Sequence, residues 1–228
     1  LQIREKKKNQ LIIKKLIVLL LIAPLLAFGQ NQESLPSAGL TPASPFYFLD
    51  RLGEALQEFL TFNPQAKARL QITFVAERVA EIKVVLETRG VDAPGLEVAQ
   101  SRLQAHLANA ANIVSEQKTD GVDVSSLAKE LDDKLETSKS ALAQSFKEQE
   151  RVLETKEKEL KAQLRAAHQA GDTVKEEELA QELGKVKAQK ELLELKQEEF
   201  EDELEAEEEK FEEEMEAKDK AEEAIKEA

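Results

Sequence analysis

Large apolar residues are arranged symmetrically about one short segment, Ala170–Thr173. On both sides of this segment they recur at successive steps of 7, 7, 4, 7 and 4 residues. Before the segment they are Leu160, Leu153, Phe146, Leu142, Leu135 and Leu131, and after it they are Val186, Leu193, Phe200, Leu204, Phe211 and Met215. Such spacing places the apolar residues of each arm on one helix face. We therefore predict two long antiparallel helices, paired as a coiled-coil hairpin over residues 123–228.

The residues of the central segment favour a helical hairpin. Gly171 can adopt the left-handed conformation that ends a helix without steric cost. Residues 173–176, Thr-Val-Lys-Glu, have the spacing of a capping box and are predicted to start the second arm of the hairpin. Beyond Met215 the second arm has no large apolar partner in the first arm, so we expect its end to fray.

Three shorter helices are predicted before the hairpin, over residues 45–118. Ser44 followed by Pro45, and Asn63 followed by Pro64, have the N-cap and first-turn residues that start helices. The three apolar faces comprise Leu49, Leu52, Leu56 and Phe59, then Ile72, Val75, Val79, Ile82 and Leu86, then Leu103, Leu107 and Val114. We expect these faces to close a small bundle, which gives an all-α fold.

The N-terminal segment has the pattern of an export signal. Residues 4–15 form a basic region with six lysine or arginine residues, residues 16–28 are apolar, and Ala27 and Gly29 are the small residues that a signal peptidase reads. We predict a signal peptide over residues 1–29, a flexible leader over residues 30–44, and an extracytoplasmic location: secreted, periplasmic or in the cell envelope. The alternative is an uncleaved membrane anchor formed by residues 11–28.

The distribution of charge limits the kinds of partner. The chain has a formal net charge of −14, and residues 1–29 carry six basic residues and one acidic residue, so the remainder carries −19. Residues 197–228 alone hold 17 acidic residues against four lysines. Nucleic acids would be repelled by this surface. We expect a protein partner, and a basic one if charge determines the contact.

The sequence offers no catalytic, cofactor-binding or metal-binding site. It has no cysteine and no glycine-rich phosphate loop, and its two histidines lie on different predicted helices. We expect His106 to be a surface residue of the bundle and His168 to lie near the C-terminal end of its helix dipole. These observations favour a protein that is not an enzyme.

A compact group of charged residues lies on the second predicted helix, at Glu77, Arg78 and Glu81. A catalytic role would require a pocket, for which the sequence offers little material. We therefore predict an ion-pair network between helices, with partners on the first helix chosen from the following residues: Asp50, Arg51 and Glu54.

Three short motifs lie in the bundle segment. Residues 44–51 are Ser-Pro-Phe-Tyr-Phe-Leu-Asp-Arg, residues 61–68 are Thr-Phe-Asn-Pro-Gln-Ala-Lys-Ala, and residues 76–81 are Ala-Glu-Arg-Val-Ala-Glu. Together, over about residues 40–118, they resemble a family of exported bacterial helical domains classed as a domain of unknown function. The resemblance implies export, an all-helical fold and no assigned activity.

The motif residues also have a physical interpretation. Ser44 and Asn63 serve as helix caps, and three aromatic residues are expected to plug the end of the bundle: Phe46, Tyr47 and Phe48. The hairpin after residue 123 lies outside the resemblance.

These features lead to one main functional hypothesis and two alternatives. The main hypothesis is an exported, non-enzymatic helical protein that acts in protein binding or spacing at the cell envelope. The first alternative is a membrane-anchored structural coiled coil that keeps its N-terminal helix. The second is a holdase-like chaperone for basic clients. The coiled coil could also form a homo-oligomer, since its arms can pair within one chain or between two.

Overall fold

The computed structural model describes residues 36–42 and 44–227. The predicted signal peptide and the first part of the predicted leader, residues 30–35, lie outside the described residues. Within them the secondary structure is entirely helical, which confirms the all-α prediction. The helices are α1 (Tyr47–Leu60), α2 (Pro64–Arg89), α3 (Pro94–Thr119), α4 (Ser125–Ala170) and α5 (Thr173–Glu227). In the described part of the chain, no helix is both long enough and apolar enough to cross a membrane.

The two long helices form the predicted hairpin in the predicted register. The rings of Phe146 and Phe200 pack with their centroids 5.5 Å apart at a tilt of 56°. Leu153 and Leu193, the next predicted pair towards the turn, are both buried. The apolar core continues along this seam as far as Ala167 on α4. Burial of one narrow stripe on each helix accounts for the pairing of two otherwise highly charged segments.

The hairpin turn is built around a left-handed glycine. Gly171 has a φ of 70° and ends α4, as predicted. The cap of α5 differs from the prediction, because the side chain of Asp172 accepts a hydrogen bond from the Lys175 N–H at 3.1 Å. Asp172 is therefore the N-cap, and Thr173 is already the first helical residue. The Glu176 carboxylate lies 3.1 Å from His168 Nδ1 across the turn.

The other helix starts follow the cap signals to within a few residues. Asn63 Oδ1 accepts a hydrogen bond from the Ala66 N–H at 2.9 Å, which confirms the predicted start of α2. The first helix begins at Tyr47 rather than Pro45. The reason is that Ser44 Oγ and the Ser44 carbonyl accept the N–H groups of Phe46 and Tyr47 in a preceding turn.

The base of the hairpin, which is its end away from the turn, shares one apolar core with α2 and α3, and this core runs from Ala68 on α2 to Leu204 on α5. Polar contacts join α3 to the acidic C-terminal part of α5 from residue 197 onward, which we call the acidic arm. Gln100 Nε2 donates to Glu203 at 2.7 Å, and Lys118 Nζ lies 2.5 Å from Asp219. The acidic arm therefore has a partner beyond Met215, and that partner is α3. The expectation that the arm frays after Met215 was wrong, because the helix continues beyond Met215 and contacts α3 as far as Asp219.

Candidate functional site

The first helix lies with its polar side against the rest of the fold. Tyr47 and Glu54 are buried, at 8% and 6% exposure. The predicted apolar face is 39% to 73% exposed, at Leu49, Leu52, Leu56 and Phe59. The expectation that this face closes the bundle was wrong. The predicted aromatic plug is also corrected, because Phe46 and Phe48 are exposed and only Tyr47 is buried.

Arg78 on α2 is the centre of a buried charge cluster. Its side chain is completely buried, and Nη2 lies 2.6 Å from a Glu54 oxygen and 2.8 Å from a Glu81 oxygen. Asp50 and Glu77 each place an oxygen 3.6 Å from the same nitrogen. The predicted ion-pair network between the first two helices is thus confirmed for Asp50 and Glu54. A buried guanidinium requires such partners to compensate for its lost hydration.

Tyr47 and Arg102 join the third helix to the cluster. Arg102 pairs with Glu54 and donates to the Tyr47 hydroxyl at 2.8 Å, and its guanidinium lies 5.6 Å from the Tyr47 ring centroid. The same hydroxyl donates to a Glu81 oxygen at 3.2 Å. Since Glu54 contacts both guanidiniums, one carboxylate of α1 links α2 to α3. These contacts fix which side of α1 faces inward.

The cluster contains more acidic groups than basic ones, and this changes their protonation. Burial raises the pKa of Glu81 to about 8, against the opposing effect of Arg78 and with support from the Asp50 and Glu54 charges. Burial likewise raises the pKa of Glu77 to about 7. The pKa of Asp50 is also raised, first by burial and then by the charge of Glu54. The folded protein therefore holds protons here near neutral pH.

His106 lies beside this cluster and is buried, so the expectation of a surface position was wrong. Its Nδ1 lies 2.7 Å from Gln71 Oε1, and its ring packs against Phe74 with centroids 5.0 Å apart. Burial lowers the pKa of His106 to about 3, and the charges of Arg78 and Arg102 act in the same direction. The imidazole is therefore neutral at physiological pH.

The charge cluster positions α1 and is closed to solutes. A carboxyl with a raised pKa is suited to proton transfer. The side chains of Glu81 and Arg78, however, are both completely buried, so a solute reaches them only if α1 moves away. Among the residues that the structure describes, no group of three or more histidine and acidic side chains converges as a metal site. The arrangement holds α1 in place with its apolar face outward.

An open groove of about 580 Å³ lies where α3, α4 and α5 meet at the base of the hairpin. Its apolar lining comprises Leu107, Ala111, Ala128, Leu131, Leu135, Phe211 and Met215. One basic residue, Lys129, also lines the groove. The six acidic residues of the lining are Asp132, Glu207, Glu208, Glu212, Glu216 and Asp219. Lysines neutralise some of these, since Lys139 pairs with Glu208 and Lys118 with Asp219. The groove combines an apolar floor with a net negative rim.

The comparison with protein families covers both parts of the fold. The family described as a domain of unknown function, DUF5667, matches residues 39–228. The chain belongs to this family. The DUF5667 match includes the hairpin, so the expectation that the family resemblance ends near residue 118 was wrong. No curated protein and no solved structure matches the chain significantly.

Sequence reasoning found part of this site. It identified the α2 charges and their α1 partners from their helical spacing. It missed Arg102 on α3 and the burial of His106. It expected the Tyr47 ring to cover the end of the bundle but did not predict the hydrogen bonds of its hydroxyl. The sequence did contain an indication that the polar face of α1 turns inward: the acidic residues Asp50 and Glu54 lie four positions apart on one face, where they can pair with buried basic groups.

Proposed function

We propose that this DUF5667 protein is an exported, non-enzymatic helical protein that binds a basic protein partner at the cell envelope. The observation that carries the proposal is the acid-rimmed apolar groove at the base of the hairpin. The export part rests on the charge and apolarity pattern of residues 1–29, and the absence of an enzymatic role rests on the lack of catalytic motifs in the sequence.

The groove is suited to an amphipathic helix with a basic polar face. Its floor offers partly buried Phe211 and Met215, which can receive apolar side chains of a partner helix. Its rim offers Asp132, Glu207 and Glu212, which have no ion-pair partner within the described residues. Lysine or arginine side chains of a partner would supply those counter-charges and would accelerate association.

The hairpin is suited to act as a spacer. The hydrogen bond from Gln100 to Glu203 joins α3 to α5, and α5 extends 30 residues from there back to Thr173. At about 1.5 Å per residue this length is about 45 Å. Such an arm can separate the groove at the base from whatever contacts the turn.

Peptide binding provides the test of the groove. The probe is a synthetic amphipathic helix of leucine and lysine, and its control is the same peptide with every lysine replaced by glutamate. We expect the lysine peptide alone to bind. The combined variant Glu207→Gln and Glu212→Gln should weaken binding about tenfold at low salt. The matched control, Glu177→Gln with Glu178→Gln near the turn, should leave it unchanged.

Two results would contradict the groove proposal: equal binding of both peptides, or equal weakening by both pairs of substitutions. The second result would mean that only the overall negative charge attracts the peptide.

Cell fractionation with intact-mass measurement tests the export proposal separately. Cleavage after Gly29 and recovery outside the cytoplasm would support it. A full-length chain in the membrane fraction would favour the alternative, a membrane-anchored structural coiled coil.

A further inference from the structure

The outward face of α1 and its flanking residues hold a concentration of exposed apolar side chains. Thirteen large apolar side chains are exposed in the described part of the chain, and nine of them lie between residues 40 and 62. They are Leu40, Phe46, Phe48, Leu49, Leu52, Leu56, Phe59, Leu60 and Phe62, which we call the α1 patch. Exposed apolar residues scattered singly over a surface would need no explanation, whereas this concentration does.

The orientation of the patch is imposed by the buried charge cluster. If α1 rotated to bury its leucines, Glu54 and Tyr47 would leave both Arg78 and Arg102. Arg78 would then keep only the carboxylates of its own helix. The cluster thus stabilises the outward orientation of an apolar face. The α1 patch is a property of the folded chain and not of a detached helix.

The size of the patch matches half of a stable protein interface. The exposed fractions of its nine residues add up to about five fully exposed side chains, or about 900 Å² at about 150 to 200 Å² each. The largest apolar patch on a monomeric protein is typically about 300 to 600 Å². Two α1 patches in contact would bury about 1,800 Å², within the range of about 1,200 to 2,000 Å² for stable complexes.

We propose that the α1 patch packs against the same patch of a second copy of this chain, in a two-fold symmetric dimer. Apolar patches of this kind are self-complementary, and pairing them brings no like charges into the centre of the interface. A lipid surface suits the patch less well. Arg51 is the only basic residue of α1, against Asp50, Glu54 and Glu58, whereas helices that lie on membranes are rich in lysine and arginine.

Gly53 gives independent support for close helix contact. It lies within α1, between Leu49 and Leu56, where glycine is unfavourable for the helix. A Cβ atom added at Gly53 would meet nothing within 4 Å in the same chain, so no intramolecular contact requires a glycine there. In the proposed dimer, the missing side chain leaves room for a leucine or phenylalanine of the second copy to approach the helix backbone.

Sedimentation equilibrium tests the proposal, with residues 35–228 as the protein because they form one compact unit with its own core. We expect twice the monomer mass within about 1 to 100 µM. The combined variant Leu52→Glu and Phe59→Glu should sediment as a monomer. The matched control, Val174→Glu with Leu195→Glu, changes equally exposed apolar residues on the hairpin and should remain a dimer.

Cross-linking provides a second measurement that does not depend on the charged variants. Because the chain contains no cysteine, single Leu52→Cys and Leu56→Cys variants report only on their own surroundings. In a symmetric dimer, the position nearest to the two-fold axis should form an intermolecular disulfide under oxidation. Val174→Cys, on the hairpin, should not.

Three outcomes would overturn the dimer proposal. The parent could remain a monomer throughout the concentration range, or it could remain a dimer when Leu52 and Phe59 are both glutamate, which would place the contact on the hairpin. It could also be a monomer that floats with phosphatidylcholine vesicles only when the α1 patch is intact, which would assign the patch to lipid. None of these outcomes bears on peptide binding in the groove, so the two proposals are tested separately.

Discussion

Replacement of Glu81 by glutamine should make the stability of the protein less dependent on pH. Glu81 has a pKa of about 8 in the folded protein because it is buried. The folded protein therefore binds a proton that the unfolded chain has already released at neutral pH. The stability that this proton provides is fully present below the unfolded pKa and is lost as the pH rises through the folded pKa. Glutamine is neutral at every pH, so its amide removes this contribution.

The expected size of the effect follows from the two pKa values. Between about pH 6.5 and pH 9, a carboxyl with a pKa of about 8 when folded and 4.5 when unfolded loses about 2 kcal/mol of stabilisation. His106, whose pKa is lowered to about 3, affects stability with the opposite sign and mainly below its ordinary pKa of 6.5. Glu77 contributes a further fall of about 1 kcal/mol, which the parent and the Glu81 variant share.

Urea unfolding followed by far-ultraviolet circular dichroism measures the effect at several pH values across this window. The parent should lose about 2 kcal/mol more than Glu81→Gln from the lowest to the highest pH. Glu177→Gln, at an exposed position on α5, serves as the control and should follow the parent. Parallel pH profiles for the parent and Glu81→Gln would refute the assignment of the proton to Glu81, and a rise in parental stability over this window would refute its sign.

The remaining predictions concern the hairpin, and thermal or urea unfolding checks both of them. Leu153→Ala removes a side chain that is 5% exposed and should cost about 2 to 5 kcal/mol, whereas Leu195→Ala, at 62% exposure, should change stability by less than about 0.5 kcal/mol; equal effects would contradict the seam. Gly171→Ala places a side chain at a φ of 70° and should cost about 1 kcal/mol, while Gly184→Ala within α5 should stabilise the protein by about 0.5 to 1 kcal/mol. Stabilisation by both alanines would contradict the left-handed turn.

The hairpin could be derived from the sequence because the information for it is local. A helix repeats every 3.6 residues, so the spacing of Leu153, Leu160 and their neighbours determines one apolar stripe on each arm. Gly171 marks the point where the chain must reverse, and the two stripes then have only one register that pairs them fully. The contact of Phe146 with Phe200 is the direct consequence.

The orientation of α1 could not be derived in the same way. Its sequence has one apolar face and one polar face, and periodicity alone favours burying the apolar one. Which face turns inward depends on what α2 and α3 present to it. They present Arg78 and Arg102, two guanidiniums that require carboxylates. Turning α1 over would take Glu54 and Tyr47 away from both guanidiniums. The lost compensation of these charges outweighs the gain from covering a few leucines.

The partner of the acidic arm was likewise decided by tertiary structure. The sequence by itself determined the helical composition, the hairpin turn and the paired seam, since these depend on residues that are close in the chain or repeat with a fixed period. Only the folded arrangement brought α3 beside α5, with Lys118 against Asp219, and placed the apolar face of α1 on the outside. Those contacts join residues far apart in the sequence, and the local periodicity of the chain does not indicate which charges will meet.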